Sequence, residues 1–275
     1  MKRNVKLNRG ETIGKIFVRF GVASGADPAM VPCRRMKPQI ILAEAHTREG
    51  ARLTLHSHDG RFSIRVNGKE LMNSAATASE VALGELATAE ITRSAPARIL
   101  IGGLGLGYTL QGVLAKVGAH ATVHVAELVS AVIDWNRTHM SGLNGALLND
   151  PRVKILNEDV RSIIARSANQ PYDAILLDID NGPSAMVQSS NAKVYDLRGI
   201  ARIGQALKPG GRVAIWSSGA DKAFESRLSN SGFDVKPTPV KKHATAKSTT
   251  YMIYVADKKA PPPKPAVETE AAAAF

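Results

Sequence analysis

The hydrophobic and polar positions of this chain change period twice. Between 39 and 66 three runs alternate in the manner of strands: IILAEAHT, ARLTLHSH and RFSIRVN. Glu49-Gly50 and Asp59-Gly60 separate them, and an Asp-Gly pair between alternating runs is a strong hairpin signal. The pattern predicts a small antiparallel β-sheet within residues 36–75. The period then lengthens. Val81, Leu83, Leu86 and Ala87 share one helical face, which predicts a helix over about 80–91 with Ser79 as its N-cap. Apolar runs at 98–102, 121–126, 152–156, 173–178 and 211–216 follow, separated by helical patterns at 107–117, 129–140, 160–167 and 192–207. Lys208-Pro-Gly-Gly211 closes the last of these helices and turns into the run RVAIWS.

Such alternation predicts an α/β fold, a doubly wound and mostly parallel sheet with helices on both faces, over residues 76–256. A further helix near 221–230 leads to apolar runs at 233–236 and 249–256, which read as a C-terminal antiparallel hairpin on the sheet edge. Residues 1–35 keep no steady period and read as a basic arm. The Pro- and Ala-rich stretch 257–275 is expected to be a disordered tail. There is no internal repeat.

Composition narrows the setting. The length of 275 residues suits one catalytic domain and a small appendage. Cys33 is the only cysteine, so no internal disulfide forms, and a reducing, cytoplasmic location is expected. No run approaches the roughly 20 apolar residues that span a bilayer. The formal net charge of +12 is concentrated: residues 1–35 carry eight Lys/Arg against Glu11 and Asp27, and 236–247 adds four lysines without an acid. The presumed domain is therefore nearly neutral. No aromatic residues alternate with these basic segments as on a base-stacking platform, so solvated tails are preferred to a nucleic-acid surface.

Candidate chemistry begins at ARILIGGLGLGY, residues 97–108. An apolar run enters Gly103, Gly105 and Gly107, a helical pattern follows, and about twenty residues on a second run ends in Glu127. A dinucleotide fingerprint, G-x-G-x-x-G, would need glycine at Tyr108 or Leu110. The spacing G-x-G-x-G instead suits sulfonium nucleosides, S-adenosylmethionine and its relatives. Glycines alone also make purely structural turns; Glu127, placed to accept bonds from both ribose hydroxyls, tips the reading towards a nucleoside.

In a doubly wound sheet, ligands bind beyond the carboxyl ends of the strands. Three of those ends carry acids. Asp159 either caps the helix after it or meets the exocyclic amine of adenine, and the two roles are compatible. Asp178 ends the apolar run AILLD, where a carboxylate could take a proton from an attacking amine; the bland alternative is an acid bonded to the Asn181-Gly182 turn. Asp180 is a second, weaker candidate, and 184–191 reads as a loop able to act as a lid. The seven histidines show no metal-ligand spacing, so no metal site is expected. Trp216 reads as a core or rim tryptophan more readily than as a substrate platform.

From about residue 60 to 256 the chain resembles the spermidine synthase family, aminopropyltransferases with an N-terminal β-sheet and a class I methyltransferase-like Rossmann domain. The carriers are IGGLGLGYTLQGVL, VAELVSAVIDWNR, DPRVKILNEDV, YDAILLDIDNGP, the later VY at 194–195, and LKPGG. The resemblance implies that Glu127 holds the donor ribose, Asp159 the adenine, and that Asp178 is the catalytic acid-base group. It implies decarboxylated S-adenosylmethionine as donor and a di- or polyamine as acceptor, with a homodimer left open.

The chain also departs from the family pattern. Leu106 stands where the family's glycine loop carries an aspartate, Leu83-Gly84 where it has a Tyr-His pair, and Leu71 where it has a glutamine that contacts polyamine. Losing those groups would leave ammonium ions poorly compensated. Leu106 would also tolerate a donor with its carboxylate intact, beside a helix N-terminus. S-adenosylmethionine-dependent methyl transfer to a small molecule is therefore the alternative, and a non-catalytic nucleoside- or nucleic-acid-binding protein a further one.

Overall fold

A computed structural model describes residues 38–179, 182–184, 193–241, 245, 248–249 and 251–259. The expected arm, the lid segment 185–191, Asp180 and most of the expected tail lie outside the described residues. The described part belongs to one compact unit, Lys37–Phe275.

The alternating runs fold as a four-stranded antiparallel meander, β1 (Ile40–His46), β2 (Arg52–His58), β3 (Arg61–Val66) and β4 (Lys69–Asn73), paired in that order. Asp59-Gly60 and Asn67-Gly68 both adopt two consecutive positive φ angles, 49° and 77°, then 49° and 81°. That backbone twist matches the twist of the flanking strands, so each pair closes a tight hairpin. β4 was not expected from its own short run KELMN; the Asn67-Gly68 pair was its signal. Leu53, Leu55 and Ile64 on one face of the meander join the core that also contains Ile99, Ile101, Val123 and Val125.

After α1 (Ala78–Ala87) the chain alternates: β5 (Ala97–Gly102), α2 (Tyr108–Lys116), β6 (Ala121–Ala126), α3 (Ser130–Thr138), β7 (Val153–Leu156), α4 (Val160–Arg166), β8 (Tyr172–Leu177), α5 (Leu197–Ala206), β9 (Leu207–Ser217), α6 (Lys222–Asn230), β10 (Phe233–Val240) and β11 (Tyr251–Lys258). The larger sheet runs β10-β11-β9-β8-β5-β6-β7. Its five strands β5 to β9 are parallel; β11 is antiparallel to β9 and to β10. Successive residues of β5 alternate between two cores, Ile99 and Ile101 in one and Leu100 in the other, which is why this strand is apolar throughout. The chain reverses direction across the sheet between β5 and β8, and the crevice above that reversal is where such folds bind ligands.

Three local expectations change. Ser79 lies inside α1 and donates to Glu80 rather than capping the helix, which begins after Thr77. Lys208-Pro-Gly-Gly211 bulges from the edge of β9, since Tyr172 pairs with Leu207 and Ala174 with Arg212. β11 extends to Lys258, two residues into the expected tail. Among the described residues no helix is long and apolar enough to cross a membrane.

Candidate active site

The glycine loop follows β5 because its backbone must pass where no side chain fits. Gly103 has φ +95°, and a Cβ there would overlap the Asp178 carbonyl oxygen. Gly107, at φ +81°, starts α2, and a Cβ on it would lie 2.9 Å from Asn144 Cβ. Two buried amides hold the loop from below. Asn136 Nδ2 donates to Gly105 O at 2.9 Å and Asn144 Nδ2 to Leu106 O at 3.0 Å. Sequence reasoning passed over both asparagines; their signal was a polar residue among apolar neighbours, Asn136 beside Trp135 on α3 and Asn144 beside Leu143 in the turn that follows.

Glu127 stands just beyond β6, where its N–H extends the ladder to Leu156 O. Its buried carboxylate accepts from Leu104 N at 3.0 Å and from Val129 N at 2.8 Å, so it ties the glycine loop to the start of α3. Burial raises its pKa above the usual carboxylate range, against the opposing pull of these backbone donors. The Gly105 and Leu128 main-chain N–H groups also act to lower it.

Asp159 caps α4 by accepting from Arg161 N at 2.8 Å, and it also pairs with the Arg161 guanidinium at 2.5 Å. Burial pushes its carboxyl up, but the Arg161 bonds and charge outweigh that and hold it below its ordinary value. The capping role is thus present, and Arg161 takes much of the capacity that a base amine would use.

Gly103, Gly105, Glu127, Asp159 and Asp178 line one cavity of about 150 Å³. Its apolar walls come from Leu53, Ile64 and Val66 of the meander on one side and Leu128, Val129 and Val132 on the other. Gly107 does not line it; that glycine serves the turn into α2. A narrow apolar slot with the Glu127 carboxylate at its wall suits a flat base joined to a sugar with paired hydroxyls.

Asp178 follows β8, with its N–H bonded to Gly102 O at 2.9 Å. Its carboxylate accepts from Thr109 Oγ1 at 2.7 Å, and burial raises its pKa while that bond opposes the shift. Asp178 also lines a second cavity, of about 310 Å³, which shares Leu71, Met72 and Gly105 with the first. Glu70 and Asn73 of β4, Glu80 of α1, Tyr108, Trp216, Ser218 and Tyr251 complete its polar and aromatic lining. No Lys, Arg or His lies among the described residues lining it. The Trp216 and Tyr251 rings are 4.8 Å apart, and the Tyr108 hydroxyl is pushed up by burial and by the Glu80 charge. Trp216, read from sequence as core or rim, is a wall of this cavity.

The family departures look different in three dimensions. Leu106 and Leu71 do line the second cavity, Leu106 with only 4% of its surface exposed. Leu83 and Gly84 line neither cavity. Leu83 is wholly buried, and a Cβ on Gly84 would come within 2.7 Å of Thr109 O, so this pair serves the close crossing of α1 on α2. The expected deficit of negative charge is also corrected. Glu70 and Glu80, which sequence reasoning did not single out, bring two carboxylates to the cavity beside Asp178.

Residues 85–230, just over half of the chain, match the spermine/spermidine synthase domain family. Polyamine aminopropyltransferase 1 of Streptomyces coelicolor is 35% identical over 122 residues, which cover 43% of this chain and 22% of that protein. Polyamine aminopropyltransferase 2 of Pseudomonas aeruginosa is 30% identical over 131 residues, 46% of this chain and 35% of that protein. Putrescine N-methyltransferase 2 of Nicotiana attenuata is 28% identical over 128 residues, 44% and 32% of the two chains. The matches thus span about a third or less of each of these relatives. In three dimensions the chain resembles the spermidine synthase of Thermotoga maritima, with a TM-score of 0.62 at 18% identity, covering 82% of this chain and 75% of that one. A spermidine synthase in complex with the transition state analogue AdoDATO gives a TM-score of 0.61 at 17% identity, covering 82% and 74%.

Proposed function

Because the chain belongs to the spermine/spermidine synthase family, we propose that it transfers an aminopropyl group from decarboxylated S-adenosylmethionine to a di- or polyamine. One observation carries this reading: a nucleoside-sized slot and an acid-lined, aromatic cavity meet at the buried carboxylate of Asp178. The slot suits the adenosine of the donor, with Glu127 on the ribose and Asp159 near the base. The second cavity suits an aliphatic amine, because ammonium groups are favoured by carboxylates and by aromatic faces.

The chemistry asked of the residues is modest. An amine reaches the site protonated and must release a proton before its nitrogen has a lone pair. Asp178 accepts that proton, and the raised pKa that burial imposes makes it a better base than an exposed aspartate. The nitrogen then attacks the carbon beside sulfur from the side opposite the sulfonium. The C–N bond forms, the C–S bond breaks, and its electron pair stays on sulfur as neutral methylthioadenosine. The apolar walls of the first cavity limit competition from water on that side of Asp178. Asp180, outside the described residues, remains a proposed assistant, and no metal is called for.

A second reading, methyl transfer to an amine, draws on Leu106 in the cavity wall and on the putrescine N-methyltransferase relative. Both readings require an amine acceptor. They differ in the donor: three carboxylates and no described cation around the second cavity disfavour a donor tail that keeps its carboxylate. Calorimetry with decarboxylated S-adenosylmethionine, S-adenosylmethionine and methylthioadenosine tests this. Tighter binding of the decarboxylated donor and turnover with putrescine support aminopropyl transfer; the reverse order supports methyl transfer, and no binding removes both. With a single cysteine in the chain, our reading of its location remains the cytoplasm.

A further inference from the structure

Thr109 is almost wholly buried, yet it makes a polar contact that neither the fold nor the donor requires. Its Oγ1 donates to Asp178 Oδ2 at 2.7 Å, and among the described residues it is the donor to that carboxylate. Both ends of this bond are held by backbone. Thr109 is the second residue of α2, and its carbonyl lies against Gly84 of α1, while Gly112 one turn later lies against the Val81 carbonyl. The two helices therefore touch main chain to main chain, which a side chain at either glycine would prevent. On the other side the Asp178 N–H is bonded to Gly102 O, and the Asp178 carbonyl packs on Gly103.

We propose that Thr109 is a positioning residue for Asp178: by holding Oδ2 it leaves Oδ1 as the oxygen that faces the acceptor amine. This rests on Asp178 being the proton acceptor. The same bond favours the charged carboxylate, because a hydroxyl donates more strongly to a carboxylate than to the neutral acid. Burial works the opposite way. Glu127, Glu158 and Asp159 share its first cavity, and Glu70, Glu80, Tyr108 and Tyr251 share its second. None of these supplies a positive charge, so the Thr109 hydroxyl is the group that opposes burial.

The test titrates the Asp178 carboxyl by carbon-13 NMR in the unliganded full chain, with the resonance assigned by its absence in Asp178→Asn. Thr109→Val should move the midpoint up by about one pH unit, the size expected for one hydrogen bond to a charged group. Thr109→Ser should stay within about 0.3 units of the wild type, since it restores the hydroxyl. In parallel, the acid limb of kcat/KM for aminopropyl transfer from decarboxylated S-adenosylmethionine to putrescine should shift with the same sign in Thr109→Val. Thr109→Ala repeats the titration if the valine variant does not fold. An unchanged midpoint in the variant lacking the hydroxyl overturns the assignment. Wild-type turnover by Asp178→Asn would instead remove the underlying reading of Asp178, and the titration would still decide the role of Thr109.

Discussion

The cavity beneath the meander and the cavity beside it share Asp178, Gly105, Leu71 and Met72, yet their walls differ in kind. In the first, Glu127 accepts from main-chain N–H groups and Asp159 from both a main-chain N–H and Arg161, so each carboxylate already has hydrogen-bond donors before any ligand enters. The second gathers Glu70, Glu80 and Asp178 with three aromatic rings and no described cation. A carboxylate with such donors in place offers hydrogen bonds to neutral hydroxyls; an acid-rich wall offers charge to a cation. On the proposed function, the first side would take the neutral part of the donor and the second the ammonium-bearing acceptor. Asp178, common to both, is where the comparison is most easily broken.

Replacing Asp178 by Asn should therefore have the largest effect, a fall in turnover of about 10²- to 10⁴-fold with donor affinity kept, because the amide cannot take a proton. The same change should stabilise the fold at neutral pH. Burial lifts the folded-state pKa of Asp178 above its ordinary 3.8, so its contribution to stability is intact below that value and is lost as pH rises through the lifted one. Asparagine carries no such loss. The melting temperature of Asp178→Asn should exceed that of the wild type at pH 7 and match it near pH 3. Equal turnover, or a variant less stable at pH 7, would mark Asp178 as a structural acid.

Glu127→Ala addresses the first cavity alone. Loss of its charge-assisted bonds should weaken methylthioadenosine binding by about 1.5–3 kcal/mol, roughly 10- to 150-fold, with KM for the amine unchanged. Glu80→Gln addresses the second. Its charge is partly exposed, so about 1 kcal/mol, near fivefold in amine KM, is the expected loss, with methylthioadenosine affinity unaltered. If either variant moved both affinities equally, the two cavities would be one site and the division of labour would fail.

The same division explains what the sequence made legible. The acidic side of the first cavity is built from ends of the parallel strands and the loops directly after them, so the strand pattern, the glycines and the acids at 127, 159 and 178 could be read in order. Local spacing reports such features. The second is assembled from β4, the start of α1, β9 and β11, which lie far apart in the chain, and nothing local joins Glu70 to Trp216 or Tyr251. Asn67-Gly68 was a readable hairpin signal that would have supplied β4 and with it Glu70. Leu83-Gly84 misled for a related reason: alignment to a family pattern assumes that a position keeps its surroundings. Here Gly84 instead permits two helices to meet, a contact visible only once both are placed.

Leu106 is the position on which the donor question turns, and its replacement should give the smallest effect with the most information. Its side chain lines the second cavity beside Gly105, two residues before α2, while its carbonyl is held by Asn144. If the donor tail lies against it, Leu106→Asp adds a charge partner for the ammonium of decarboxylated S-adenosylmethionine. For intact S-adenosylmethionine the new carboxylate also meets the carboxylate of the donor, and like charges repel at short range. Because the cavity is partly open to water, changes of about two- to fivefold are expected, tightening for the decarboxylated donor and weakening for the intact one. Leu106→Asn controls for placing a polar group in a buried position, and its effect should be the same on both donors. Parallel responses of the two donors to Leu106→Asp would show that the tail lies elsewhere. Leu106 would then be a packing residue of the loop, and the methyl-transfer reading would lose its structural support.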